Sequence, residues 1–331
     1  MLLYVVNFID RSNVGFAALT MNKDLGFTPS VFGFASGIFF IGYLLFQVPA
    51  TVLLERTGAR RLIFGIMLIW GLISASNAFV QDAHTFYTLR FALGVAEAGF
   101  FPGMIFYLTL WFPKRLRGRY SAMFSSAIPL AGIIAGPLSG LVLGLDGVDG
   151  LHGWQWLFLL QGLPASLLAF AVLRYLPDGP ARAPWLDDAE KNAVAASLAP
   201  AAAVDESNLW KSLRDPRVLV LGVAAVANGS ALYAVSLWLP QIIRAMGFSN
   251  RATGFVSTLP YMAAMVAMIF WGRRSDAAGE RIWHVALAAL FAAAGFVIAS
   301  VIICSFFSAS YLRWLEFCLP LARSTASVRL S

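Results

Sequence analysis

The sequence predicts an all-α integral membrane protein of about nine membrane-crossing helices, on three observations. Of its 331 residues 59% are hydrophobic and only 12% charged, with a mean hydropathy of +0.74, whereas a soluble domain carries about 25% charged residues. Apolar runs of membrane-crossing length recur along the chain, too long and too continuous for the short alternating strands of a β-barrel. Finally, the loops between them alternate sharply in positive charge. A net charge of +7 and a pI near 9.7 would suggest nucleic acid in a soluble chain. Here the positive residues lie in short loops and set topology instead, so no nucleic-acid partner is expected.

The nine spans fall at about 2–20, 31–54, 62–80, 86–110, 120–145, 154–176, 217–243, 252–271 and 283–306. Loops after the even spans hold sixteen positive residues: Arg56, Arg60 and Arg61; Lys114, Arg115, Arg117 and Arg119; Arg174, Arg182, Lys191, Lys211, Arg214 and Arg217; Arg273, Arg274 and Arg281. Loops after the odd spans hold only Lys23, Arg244 and Arg251. The positive-inside rule therefore places the even loops and the N-terminus in the cytoplasm.

The first span carries D-R-S-N at 10–13, an acid–base pair at mid-membrane, where a cleavable leader would be uncharged. In the second span Tyr43 and Gln47 share a helical face, being four apart. Tyr43 reads either as a packing tyrosine or as a cavity residue. The following E-R-T-G-A-R-R at 55–61 turns on Gly58, with charges placed to pair or to cap helix ends.

The fourth span holds R-F-A-L-G-V-A-E-A-G-F-F-P at 90–102. Arg90 and Glu97 share one helix face, about two turns or roughly 10 Å apart. Gly94, Gly99 and Gly103 admit a close neighbour, and Pro102 kinks or ends the segment. Charges in hydrocarbon must face a partner or a water-filled cavity and default to function. A structural ion pair locking two helices is the plainer alternative. Two such acid–base pairs in one chain favour a shared polar cavity with a binding and proton-coupling face.

W-F-P-K-R-L-R-G-R at 111–119 reads as a topology loop whose arginines can also latch helix ends. Span five contains G-I-I-A-G-P-L-S-G at 132–140, small residues four apart with a bend at Pro137. Span six opens with G-W-Q-W, where Trp154 and Trp156 suit an interfacial belt. The polar stretch 177–216 holds D-D-A-E-K-N-A-V-A-A-S-L at 187–198, a short surface helix with Asp187 as cap and Glu190 three residues on. The domains expected are thus a six-helix bundle at 1–176, a cytoplasmic loop at 177–216, a partial bundle of three helices at 217–306 and a tail at 307–331. An internal echo supports related halves: Glu55, Gly58 and Arg60 are spaced as Asp276, Gly279 and Arg281. Cys304 and Cys318 stand 14 apart without a histidine cluster, so neither a metal site nor a disulfide framework is expected.

D-R-x-N, E-R-x-G-A-R-R and R-F-x-L-G-x-x-E-A-G-F-F-P together resemble the major facilitator superfamily, and more narrowly its anion:cation symporter family. W-F-P-K-R-L-R-G-R, G-W-Q-W-L-F, P-D-G-P, W-L at 185–186 and W-L-P-Q at 238–241 strengthen the resemblance, which runs from about residue 4 to about 290. It implies two six-helix bundles and uptake of a small organic anion (tartrate, a sugar acid or an aromatic carboxylate), coupled to protons, across a bacterial inner membrane. Carried over residue by residue, Arg11 would bind the substrate carboxylate, Asp10 and Glu97 would be the protonatable pair, Arg90 would tune one of them, and Tyr43 would line the cavity. The family has twelve spans, and residues 305–331 have no apolar run long enough to cross a membrane. The chain therefore reads as C-terminally truncated or frame-shifted.

The alternative from another class is a non-transporting remnant or membrane scaffold. A membrane enzyme fits least: His84, His152 and His284 are scattered, with no H-E-x-x-H, P-loop or nucleophile elbow, and no cofactor motif.

Overall fold

The computed structural model describes residues 1–198, 214–280 and 282–301, all of its regular structure helical. Among the described residues eight helical segments are long and apolar enough to cross a membrane: Pro29–Leu54, Ala59–Phe79, Ala83–Trp111, Lys114–Leu145, Gly153–Tyr175, Pro216–Ala245, Asn250–Ala278 and Ile282–Val301. The first helix, α1 (Leu2–Asp24), adds 23 residues, or about 34 Å, but carries a polar centre. All nine expected spans contain helix among the described residues; span five begins six residues before its expected border, span eight runs seven past its own, and the expected end of span nine lies outside the described residues. Cys304, Cys318, Lys211, Arg281 and the tail 307–331 lie outside the described residues.

Three of the spans are each made of two helices, and a proline follows each break, although Pro49, Pro137, Pro164 and Pro240 lie inside unbroken helices. Segment four is α4 (Ala83–Glu97) and α5 (Phe100–Trp111); segment five is α6 (Lys114–Ser125) and α7 (Ala127–Val142). Counting α2 (Pro29–Thr57), α3 (Ala59–Ser76), α8 (Gly153–Tyr175), α9 (Asp188–Ser197) and α10 (Pro216–Ala245), the third pair is α11 (Asn250–Val256) and α12 (Thr258–Ala278). A proline ring clashes with the carbonyl four residues earlier and supplies no N–H to it. Pro102, Pro129 and Pro260 stand four residues after Ala98, the C-cap of α4, and after Ser125 and Val256, the last residues of α6 and α11.

The basic run after Pro113 is helix rather than loop, which corrects the sequence reading. Pro113 occupies the N-cap and starts α6 at Lys114. Lys114–Leu145 spans 32 residues, about 48 Å against a hydrocarbon core of about 30 Å, so its charged first turns stand clear of the core. Arg117 turns back to the end of α5, its Nε donating to the Phe112 carbonyl at 3.0 Å and its Nη2 to the Thr109 carbonyl at 3.2 Å. These are C-terminal carbonyls that a helix cannot satisfy internally.

Contacts divide the chain into two compact units, Met1–Met268 and Ile269 onward. In the first, α1 lies against α7, α8 and α10, α3 runs along α8, and α2 runs along α4. Gly42 and Gly94 let α2 and α4 touch by backbone: a Cβ on Gly42 would stand 2.6 Å from the Phe91 carbonyl oxygen. The α7 glycines behave the same way toward α11, where a Cβ on Gly140 would approach the Gly254 Cα to 3.1 Å. The turn between α2 and α3 is Gly58, at φ +81°. Asp178 bridges to that turn by accepting from the Arg60 backbone N–H at 3.1 Å, while the Arg60 guanidinium donates to the Leu173 carbonyl at the end of α8. In the second unit Gly279, the counterpart of Gly58 in the internal echo, is also left-handed at φ +64°. There too the Trp271 indole N–H donates to the His284 carbonyl at 2.9 Å.

The helix at 188–197 forms as the sequence indicates. Asp187 Oδ1 accepts from Glu190 N at 2.7 Å and Glu190 Oε2 accepts from Asp187 N at 3.0 Å. Trp154 departs from the sequence reading. It is not at an interface but 2% exposed in the core, its indole N–H donating to Asp24 Oδ2 at 3.1 Å. That bond ties the start of α8 to the end of α1, and it satisfies a donor that burial would otherwise strand.

Candidate functional site

Helix α1 is polar in its middle and apolar on both sides. Tyr4, Val5 and Phe8 belong to one buried apolar cluster, and Val14, Phe16, Ala17, Ala18 and Met21 to another. Between them Asp10, Arg11, Ser12 and Asn13 are all buried, with Asn7 one turn before. A buried polar layer of this kind is costly unless its groups meet partners, and the neighbouring helices supply them.

Arg11 pairs with Glu97 of α4, not with its neighbour Asp10. Its Nε donates to Glu97 Oε2 at 2.9 Å, its Nη2 donates to the same oxygen, and Asn7 Nδ2 adds a third bond to it at 3.0 Å. Glu97 Oε1 has no hydrogen-bond partner. Arg11 Nη1 donates to the Tyr233 hydroxyl of α10. Three rings surround the guanidinium: its carbon lies 5.0 Å from the Tyr43 centroid, 5.3 Å from Phe39 and 5.6 Å from Tyr233. Cation–π attraction and a fork of fixed donors hold that side chain in one place.

Asp10 turns the other way. Its Oδ1 accepts from Asn13 Nδ2 at 3.0 Å and from the Ser74 hydroxyl of α3, while Oδ2 has no partner. Arg90 sits over the Phe39 ring at 4.8 Å, with Nε unpartnered. Neither acid–base pair read from the sequence forms: Arg11 pairs with Glu97 across helices, Asp10 is held by Ser74 and Asn13, and Arg90 has no carboxylate partner among the described residues. Phe39 lies beneath both arginines and links them. Each of Asp10, Arg90 and Glu97 keeps one buried polar atom free of protein partners, in a layer built from α1, α2, α3, α4 and α10.

Asn7, Ser74 and Phe39 of this layer, and the role of Tyr233 in it, were not read from the sequence. Asn7 had a signal, since it lies four residues before Arg11 on the same helix face. Ser74, Phe39 and Tyr233 had none, because only packing brings them in. Tyr233, a polar residue in an apolar span, has Arg11 as its donor.

A membrane-spanning helical bundle with a buried, partly unsatisfied charge cluster at its centre defines the class of polytopic transport proteins. The chain belongs to the Major Facilitator Superfamily, whose sequence profile matches residues 1–326, beyond the stretch covered by the motifs. It is a transporter and not an enzyme. It is 46% identical over 303 residues to an Agrobacterium vitis protein named "Putative tartrate transporter", covering 91% of this chain and 70% of that one. It is 43% identical over 302 residues to a protein of Acinetobacter baumannii named "Quinolone resistance transporter", covering 89% of this chain and 70% of the relative. Among solved structures, an inward-facing bacterial homologue of the human lysosomal transporter Spinster superposes with a TM-score of 0.66 at 19% identity, over 83% of this chain and 60% of that one. That likeness concerns the fold.

Proposed function

We propose that the chain carries a small organic anion (tartrate, a sugar acid or an aromatic carboxylate) in symport with protons, by alternating access, through an inner membrane with its N-terminus in the cytoplasm. The observation that carries this reading is the Arg11–Glu97 ion pair inside an aromatic cage. A substrate carboxylate and the Glu97 carboxylate compete for the same guanidinium. Protonating Glu97 removes the competitor and frees the fork of Arg11 for the substrate. Proton and anion then bind more tightly together than apart, and such coupling is reciprocal. This is the linkage a symporter needs.

In this scheme Arg11 holds the carboxylate, Tyr43 lines the site, and Arg90 adds positive charge beside Phe39. Asp10, held by Ser74 and Asn13, is the second protonatable group. Residues 1–176 act as one bundle and 217–306 belong to the other, joined by the loop 177–216; Tyr233 brings a residue of the second bundle to the substrate. The names of the relatives support an anionic substrate, although one of them points to a quinolone, which also bears a carboxylate.

The test is reconstitution of the 331-residue chain in liposomes under an imposed proton gradient. Labelled tartrate, a labelled sugar acid, a labelled aromatic carboxylate and a labelled quinolone are offered separately. Gradient-dependent accumulation of an organic anion supports the reading. Absence of uptake for every anion, by inserted protein, overturns it in favour of a non-transporting remnant or scaffold.

A further inference from the structure

Two openings on the arginine-rich end of the first unit meet at the turn between α2 and α3. The first, of about 950 Å³, is a groove between α2, α3 and α4 with an apolar lining that includes Phe46, Leu53, Ile66, Ile69, Ile73 and Phe91. The second, of about 1120 Å³, is lined by Lys114, Arg117, Arg182 and Asp178 among others. Arg56, Thr57 and Arg61 line both. An apolar channel therefore opens directly into a basic basin.

The charges there are not used up internally. Asp178 is engaged by Arg182, whose Nη1 donates to Oδ2 at 3.2 Å, and by the Arg60 backbone N–H at 3.1 Å. Among the described residues, Arg56 and Arg61 are left without a carboxylate partner at the junction. From Arg61 to Ile73 the groove follows α3 for twelve residues, about 18 Å. One leaflet of hydrocarbon is about 15 Å deep, half of a core of about 30 Å.

From these two openings we propose that the groove and basin together bind an anionic phospholipid, one acyl chain along α3 and the phosphodiester headgroup between Arg56 and Arg61. The length of the groove fits one leaflet's acyl chain, and the junction presents cations where a lipid phosphate lies. A soluble anion would need only the basin, and a second helix would not need the arginines. This proposal is independent of the transport reading, since it uses none of its residues.

The test is native mass spectrometry of the full chain in detergent, titrated with phosphatidylglycerol and with phosphatidylcholine of the same acyl chains. Phosphatidylglycerol is expected to bind at least about tenfold more tightly. Arg56→Gln with Arg61→Gln is expected to weaken it about fivefold per arginine, about twenty-fivefold together, and to leave phosphatidylcholine unchanged. The Arg56→Lys, Arg61→Lys pair retains the preference and controls for folding. Gly65 lines the groove and a Cβ there meets nothing within 4 Å, so Gly65→Phe fills the channel without a backbone clash and should weaken both lipids. Equal binding of the two lipids by the native chain overturns the proposal. So does full phosphatidylglycerol binding in Gly65→Phe, or short-chain phosphatidylglycerol binding as tightly as long-chain, either of which would assign the effect to the basin alone.

Discussion

Arg11 places two of its nitrogens on a single oxygen of Glu97, from a helix 86 residues earlier in the chain. The other carboxylate oxygen stays without a partner. The pair is therefore strong enough to orient the guanidinium and is still incomplete, and the behaviour expected of the site follows from that combination.

Arg11→Lys keeps a positive charge but has no planar fork. It cannot donate to Glu97 and Tyr233 at once and still present two parallel donors to a carboxylate. Affinity for a transported anion is expected to fall by at least about tenfold while the protein still inserts. Equilibrium binding of labelled anion to reconstituted protein measures it; near-native affinity removes Arg11 from the site.

Glu97→Gln leaves Asn7 an acceptor and removes the competing charge. In the variant, anion binding should survive, and accumulation driven by a proton gradient should be lost. Asp10→Asn is expected to show a related transport defect. Accumulation at the native level in Glu97→Gln would reduce the pair to a structural role.

Tyr233→Phe deletes the hydroxyl that accepts from Arg11 Nη1 and keeps the ring. Stranding a charged donor costs about 1.5–3 kcal/mol, so the thermal midpoint in detergent should drop. An unchanged midpoint would mean that Arg11 finds another acceptor.

Gly136→Leu should disrupt the seam between α7 and α11, where a Cβ on Gly136 already meets the Gly254 carbonyl. Thr253, 0% exposed next to Gly254 in α11, reports on that seam. A cysteine at 253 should react with a maleimide faster in the Gly136→Leu background than alone, and an unaltered rate would show the seam to be tolerant.

The charge asymmetry of the loops predicts that single cysteines near Arg115, Asp187 and Gly279 are shielded from an impermeant reagent outside whole cells. Cysteines near Gly26, Gly147 and Gly247 should label. Labelling of position 187 from outside would reverse the orientation.

The sequence carried the helices because their signals are local. Each span is a continuous apolar run, Pro102 marks the break after α4, and the Asp187 cap has its Glu190 at the required spacing; the breaks before Pro129 and Pro260 were not read from the sequence. Arg11, Asp10, Arg90 and Glu97 were visible because a charge in an apolar run has no structural explanation of its own. What stayed hidden was who pairs with whom. Adjacent positions suggested Asp10 with Arg11, and a shared helix face suggested Arg90 with Glu97. The real partner of Arg11 depends on how α1 crosses α4, and that of Asp10 on how it meets Ser74 of α3. Trp154 was misread for the same reason. Its position near a helix start suits an interface, and only the end of α1 beside it makes it core.

The order of manufacture gives the Arg11–Glu97 bond a further consequence. Protein synthesis proceeds at about 5–20 residues per second, so about 4–17 seconds separate the two residues as the chain emerges. Throughout that interval α1 holds an arginine whose counter-charge has not yet been translated. Its own Asn7, Asp10, Ser12 and Asn13 are the polar company it has within α1, and the carboxylate that pairs with it arrives with the fourth segment. The first helix must therefore wait beside the insertion machinery or at the lipid headgroups until Glu97 appears, and a pause or truncation before residue 97 should leave it poorly inserted.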